Sequence, residues 1–498
     1  MLVFLFVPVL LALFLICERV RGAMSLARYK RQLIAKGEKL TPTDLVRHPE
    51  PGENGAPEIL AAMKELKEGA VLPKSYSPRM RLTPTGHAIV CFRESYWVDD
   101  KKTNDWEYLA ADLRVNEQVL GRVRAALAKP VLNNNLDYSQ GFKMSFSRIT
   151  PPKSLTDWFG PATQLALHEG RNRDALENLM AEMRLPQILA EDRIVISELV
   201  RIAVAGVVRL DTWEALQADG WKDEDLASLQ RGWERLRFAE PMVQALKGEL
   251  VFGEVSYQQL RKSNEDTFQA FYGPEQFFGN GWRASWERTV ADFFGEAVPD
   301  FLKKQVYCRI WRFAWSHQDE LRYLKDMEQL LVINRSAATN RSSLATRADV
   351  VQFEKQLFDQ NFYDRLRYRG TMSTIGLSKV VNKAMRAEME RSLVIGAIAL
   401  KRYSLRHRKF PTSLSELVPE FVSFVPTDYM DGMPLKYRLN ANGSFILYSV
   451  GEDGKDDGGD ANLITRTTGG ITRSSRKDFV WPQPALREEV EAYRNKPE

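Results

Sequence analysis

Between Gly451 and Asp460 the chain packs five carboxylates, Glu452, Asp453, Asp456, Asp457 and Asp460, and four glycines into ten residues. Carboxylates this crowded repel one another unless water or a cation screens them, and glycine lets the backbone bend until several oxygens converge on one point. A hard cation such as calcium suits the loop. A solvated acidic turn closing a hairpin suits it too. The pattern is not that of an EF-hand, because no D-x-D-x-D-G series runs on to a glutamate at the twelfth place. The apolar segment Leu447 to Val450 leads straight into the loop, and Asp478 to Trp481 reads as a returning strand.

No other cluster offers a familiar reaction centre. The five histidines, His48, His87, His168, His317 and His407, are scattered, with no H-E-x-x-H or C-x-x-C pair for zinc. The sequence has no G-x-S-x-G elbow, no Gly-rich loop ending in Gly-Lys-Ser/Thr and no G-x-G-x-x-G after a strand. His168 precedes Gly170 at an expected helix end, where an imidazole serves as a cap more readily than as a base. The aromatic group Phe268, Phe271, Tyr272, Phe277, Phe278, Trp282 and Trp286 reads as core before it reads as a ligand-binding wall. Three cysteines, Cys17, Cys91 and Cys308, cannot build a disulfide framework.

The elements that must position the loop occupy a long chain. Its 498 residues, 44% hydrophobic, suffice for two or three domains, and a net charge of +5 from 70 basic and 65 acidic residues points to no particular partner. From about 154 to 380 the periodicity is helical. Leu226, Leu229, Trp233 and Leu236 form one stripe behind an Asp223 cap; Ile310, Phe313, Leu321, Leu324 and Leu331 form another on a helix reaching about Ile333. Residues 162 to 185, broken at Gly170, read as a helical hairpin. No fixed period emerges, so the body is expected to be mainly α, an irregular helical bundle or solenoid. Ahead of it, Asn104 caps a helix through about Leu127, while Ala88 to Phe92 and Phe142 to Phe146 carry strand patterns. Thr465 to Lys477, rich in Ser, Thr, Gly and Arg, reads as mobile.

Residues 1 to 17 carry no charged side chain, and as a helix they reach about 25 Å, near the lower limit for crossing a bilayer. They read as a single-pass signal anchor in the cell membrane, in contact with lipid; a cleaved signal peptide and a buried N-terminal helix are the rival readings. The following Arg19, Arg21, Arg28, Lys30, Arg31 and Lys36 would place that flank in the cytoplasm by the positive-inside rule. Near the other end, Lys401, Arg402, Arg406, Arg408 and Lys409 crowd the close of a helix over about 382 to 406, whose Leu393, Ala397, Leu400 and Tyr403 share a face. Basic residues suit a helix C-terminus, and no nucleic-acid module accompanies them, so no nucleic-acid partner is expected.

The order of Tyr403, Phe410-Pro411, Leu414 to Leu417, Pro426-Thr427-Asp428 and Ser449 to Gly454 resembles the C-terminal half of the major pseudopilin, protein G of type II secretion systems. The resemblance covers roughly residues 383 to 481. It implies an α+β head in which a helix precedes a β-hairpin and an acidic loop holds calcium. Asp453, Asp456, Asp457 and Asp460 are then the candidate ligands, with backbone oxygens near Ser449 and Val450. It also implies a soluble part outside the cytoplasm, against the basic flank. The chain departs from that family in starting the helix in mid-chain, without the processed N-terminal stretch that forms a pilus core.

The expected plan is therefore a transmembrane anchor at 1–17, a basic neck and linker at 18–55 and a small mixed α/β region at 56–152. A helical body follows at 153–380, a pseudopilin-like domain at 381–482 and a charged tail at 483–498. The expected function is a membrane-anchored, non-catalytic scaffold with protein partners in the envelope or in secretion. The alternative is an extracytoplasmic hydrolase with its site in the helical body.

Overall fold

The computed structural model describes residues 2–45, 50, 52–73, 80–83, 86–98, 103–272, 299–370, 374, 376–468 and 471–495. The side chains of residues 2–6, 44 and 464–475 lie outside that description. Helix holds 65% of the chain and strand 6%, so the fold is helix-dominated, with small sheets. His48 and four members of the aromatic group, Phe277, Phe278, Trp282 and Trp286, lie outside the described residues.

Helix α1, Leu2–Ala35, is one uninterrupted helix of 34 residues, so anchor and neck share a single rod about 50 Å long. Gly37, at φ +84°, ends it. Helices α2 (Ala56–Met63) and α3 (Trp106–Leu127) pack together. Strands β1 (Trp97–Val98) and β2 (Thr103–Asn104) pair antiparallel, and helix α3 begins after an Asp105 cap position, one residue later than Asn104. The two expected strands nearby do not form. Ala88 bridges Leu82 and Pro484 and exchanges backbone bonds with Gln483 and Ala485, after which Cys91–Arg93 turns into a 3-10 helix. Tyr138–Lys143 is also 3-10 helical. Alternation over five residues does not supply the neighbouring strand that a ladder needs.

The body is built from α4 (Pro151–His168), α5 (Asn172–Glu182), α6 (Val195–Leu216), α7 (Asp223–Arg235), α8 (Ala239–Lys262) and α9 (Asn264–Tyr272). The α4–α5 hairpin turns at Gly170, whose φ of +71° is costly for other residues. In α7, Leu226, Leu229 and Trp233 are buried with Leu236 just beyond, as their spacing requires. Asp223 does not cap this helix. It is the first helical residue, and its carboxylate accepts from Arg402 Nε at 2.7 Å and Arg406 Nη2 at 2.6 Å, a stronger, charge-assisted arrangement than a cap.

Two π-type stretches, Lys303–Tyr307 and Trp311–Trp315, lead into α10 (Ser316–Asn340), which packs along α8. The approach is close: a Cβ added at Gly253 would stand 2.1 Å from Tyr323 Cε1. Helices α11 (Arg347–Phe358) and α12 (Val380–His407) follow. All eight residues from Leu393 to Leu400 of α12 are buried, not one face alone. A helix apolar all round lies inside a core, and here α6, α7 and α8 contact it along with the C-terminal sheet.

That sheet orders β3 (Lys436–Leu439), β4 (Phe445–Ser449) and β7 (Phe479–Val480), with both pairings antiparallel. Leu447 of β4 packs on α12, 3.2 Å from where a Gly396 Cβ would stand. The segment expected to be mobile is instead a second hairpin, β5 (Leu463–Thr468) with β6 (Ile471–Arg476), in a register of six residue pairs. Threonine-rich runs favour strands once a partner is in reach. One hydrophobic core runs from Leu26 through α12 to Trp481, so the C-terminal sheet shares its interior with the helices.

Candidate functional site

The acidic loop is positioned by two aspartates that are fully buried. Asp428, in the Pro426-Thr427-Asp428 segment, accepts from Ser449 Oγ at 2.8 Å and from the amides of Val450 and Met430 at 2.9 Å each. Burial pushes its carboxyl up to about 6 against the pull of those bonds. Asp478, just before β7, accepts from the amides of Gly459 at 2.8 Å, Asp460 at 3.2 Å and Asp457 at 3.4 Å. Its own amide donates to Asp460 O at 3.0 Å. The loop is thus wrapped around a carboxylate through its backbone. Gly451, at φ +72°, lies where a Cβ would meet Lys477 O at 2.4 Å, so the entry to the loop admits glycine alone.

Three of the four expected ligands have their carboxylates engaged locally. Asp453 Oδ1 accepts from the amide of Lys455 at 3.1 Å. Asp456 Oδ1 accepts from Tyr448 Oη at 2.9 Å and from the amide of Gly458 at 3.0 Å, bonds that hold its carboxyl below the usual range. Asp460 pairs with Lys477 Nζ at 2.8 Å and accepts from Asn462, which also lowers it. Asp457 is exposed, and its amide is the one engaged. Among the described residues no three His, Cys, Asp or Glu side chains form a group able to hold a metal ion. The backbone at Ser449 and Val450 is tied to Asp428 and β7. Asp428 and Asp478 are the residues that organise the loop, and sequence reading assigned Asp478 no role. The available signal was an acidic residue heading an otherwise apolar strand.

The same device recurs elsewhere in the fold. Asp112 accepts the amides of Ala70, Val71 and Leu72 at 3.0, 2.7 and 2.9 Å. Asp319 accepts those of Arg369 and Gly370 together with Trp311 Nε1. Glu388 accepts those of Phe238 and Ala239 at the start of α8. Glu182 differs: it is wholly buried with no hydrogen-bond partner among the described residues, and burial with Asp211 nearby raises its carboxyl well above the normal range. Of the histidines, His87 meets Glu489 at 2.8 Å, and His168 meets Phe92 O at 2.8 Å while stacked on Trp106. His317 is pushed down to about 4 by burial and by Arg261, Arg19 and Lys30, so it is neutral at pH 7. All three cysteines are free.

Helix α1 changes character at Glu18. Before it, Val7, Val9, Leu10, Leu11, Leu13, Phe14 and Ile16 are 44 to 62% exposed, while Leu15 packs against the core. From Glu18 onward the helix is fastened to α10 and its neighbours. Glu18 Oε2 accepts from Gln318 Nε2 at 2.8 Å and Tyr363 Oη at 2.9 Å. Gly22 faces Gln318 too closely for a Cβ, 2.8 Å from its Cγ. Leu26 and Leu33 are buried. Lys30 Nζ lies 2.5 Å from Glu254 Oε2 and also pairs with Glu320, whose second partner is Arg261. Arg335 closes the series on Glu38 at 2.5 Å. Among the described residues no helix is long and apolar enough to cross a membrane.

No family model, no curated protein and no solved structure matches the chain.

Proposed function

We propose that the protein is a membrane-tethered, non-catalytic scaffold of the cell envelope, with α1 as its tether and its body and C-terminal sheet outside the cytoplasm. The observation that carries this reading is the division of α1. Seven large apolar side chains between Val7 and Ile16 face solvent, while the same helix from Glu18 on is bolted to the body. A contiguous exposed apolar surface marks a membrane or partner contact, and a spread over more than half of the helix circumference suits lipid better than a groove, which takes one stripe. The scaffold reading is supported by the employment of Asp112, Asp319 and Asp478 as backbone acceptors, which orders loops and leaves those three groups committed. The outer side rests on the resemblance of residues 383 to 481 to the secretion pseudopilin.

For the acidic loop the reading supported best is the hydrogen-bonded turn, with calcium as the competing occupant. Its support is the Asp478 carboxylate at the centre, which does for the loop amides what a cation would do for the loop oxygens.

The test is alkaline carbonate extraction of cell membranes, run beside protease treatment of spheroplasts. The full chain stays in the pellet and is digested from outside, and a chain lacking residues 2–17 is released. Release of the full chain would overturn the tether, and protection from protease would overturn the side.

A further inference from the structure

A cleft of about 200 Å³ opens where the α7–α8 connection, α12 and the 422–429 segment meet. Two guanidiniums line it. Arg391 is 7% exposed and donates its Nε to Glu388 at 2.7 Å, leaving both Nη groups without a partner among the described residues. Arg237 spends Nη1 on the carbonyls of Glu234 and Leu236, leaving Nε and Nη2 without one. Burial and the like charge of Arg391 lower the Arg237 guanidinium, the mark of two cations facing one space. The hydroxyls of Ser392, Ser423 and Thr427 also line the cleft, and none makes a hydrogen bond among the described residues. On the rim, Phe424 is 61% exposed with Arg341 over its ring at 5.8 Å.

We propose that this cleft is a phosphate-binding site that takes the phosphomonoester group of a small ligand, held by Arg237 and Arg391 with Ser392, Ser423 and Thr427 completing the shell. Guanidinium forks and hydroxyls are the donors that charged oxyanions select, and their number here exceeds what one carboxylate accepts. The volume admits a phosphate together with a small organic group, to which Phe424 on the rim offers an apolar ring. Glu234 is the one acid in the lining against Arg237 and Arg391, and Glu388, outside the lining, pairs with Arg391 through its Nε. The larger cleft of about 610 Å³ beside Arg184, Arg201 and Arg235 is a poorer candidate, since Glu50, Glu53 and Glu191 share it.

The site is tested by titrating the full chain in detergent with inorganic phosphate, phenyl phosphate and acetate, followed by calorimetry. Both phosphates bind at one site per chain, phenyl phosphate the tighter, and acetate binds more weakly than either. In Arg237→Gln phosphate affinity falls about tenfold or more, the worth of one hydrogen bond to a charged group. In Arg235→Gln, whose side chain lines the other cleft, it is unchanged. Ser423→Ala, at an exposed hydroxyl, gives a smaller loss and serves as the second reading if Arg237→Gln is unstable. Vesicles carrying a phosphomonoester lipid form a separate arm. Binding there with none to phenyl phosphate keeps the phosphate chemistry and assigns the group to a lipid. No binding in any arm, equal binding of acetate, or equal losses in Arg237→Gln and Arg235→Gln would overturn the proposal.

Discussion

Lys30→Met removes the cation at the centre of the α1 dock while keeping the length of the side chain. Glu320 is 0% exposed and Glu254 10%, and Lys30 at 21% is the cation they share. Burial pushes Glu320 up to about 7 despite Arg261 and Lys30. Burial also pushes Glu254 upward, but its bonds to Glu320 and Lys30 prevail and hold it below its ordinary value. Breaking a buried pair from one side costs about 3 to 5 kcal/mol. Arg261 remains on Glu320, so the lower figure, about 3 kcal/mol, applies at pH 8. With unfolding entropy near 2.1 cal/mol/K per residue, a chain of 498 residues unfolding as a unit loses about 3 °C. The pH dependence has a definite sign. Without Lys30 the Glu320 carboxyl, already raised, has lost one of the cations that hold it down, so its folded value stays above the unfolded one and folding costs nothing extra where both states are protonated. The cost then grows as pH rises through the unfolded value of 4.5 toward and beyond 7. Differential scanning fluorimetry of the wild type and Lys30→Met in detergent, at pH 4.5 and pH 8, reads it directly. A deficit of equal size at both pH values, or none at pH 8, would refute the shared-cation argument.

Asp478→Ala removes the acceptor of three loop amides; it should cost about 2 to 3 kcal/mol and speed hydrogen exchange at Asp457, Gly459 and Asp460, while slow exchange there would show that the loop closes otherwise. Calcium in hundredfold excess over a site's Kd would add about 2.7 kcal/mol of stability. The hydrogen-bonded turn predicts no thermal shift on exchanging calcium for a chelator, and a shift abolished in Asp453→Ala plus Asp457→Ala would replace it with the calcium cage. Glu182→Met replaces a wholly buried carboxyl lacking a hydrogen bond with apolar volume and should raise stability by about 1 to 4 kcal/mol. Because the Glu182 carboxyl is raised, that gain is largest at pH 8 and fades below the unfolded value of 4.5, and a variant less stable than wild type at pH 8 would contradict it.

Much of the helical plan was legible because its stripes repeat over many turns. The α7 stripe, the α4–α5 break at Gly170 and the long helix ending at His407 all follow from spacing. The strand at Leu447 and the return at Phe479 were legible from apolar runs beside the loop. Short patterns were not. Ala88 to Phe92 looks like a strand because it is apolar, yet Ala88 bonds residues 483 and 485, almost 400 positions away, Ile89 donates to Arg81 O and Cys91 to the Glu214 carboxylate. The 463–476 hairpin was hidden by a composition typical of loops. The acidic loop was visible as a cluster, but its organising acid was not, since Asp478 reaches amides 18 to 21 residues back. The full burial of α12 could not be read from one face, because the second covering comes from α6 and α7.

The central claim, that the first half of α1 lies in lipid, is tested most directly by spin labels in proteoliposomes. Leu11, 54% exposed, and Gln32, exposed on the docked half of the same helix, are the positions to compare, with Cys17 changed to Ser and the buried Cys91 and Cys308 left in place. A label at Leu11→Cys is expected to collide with oxygen and to be shielded from a water-soluble relaxation agent, while one at Gln32→Cys meets the agent freely. Equal exposure of the two labels to the aqueous agent would contradict the tether.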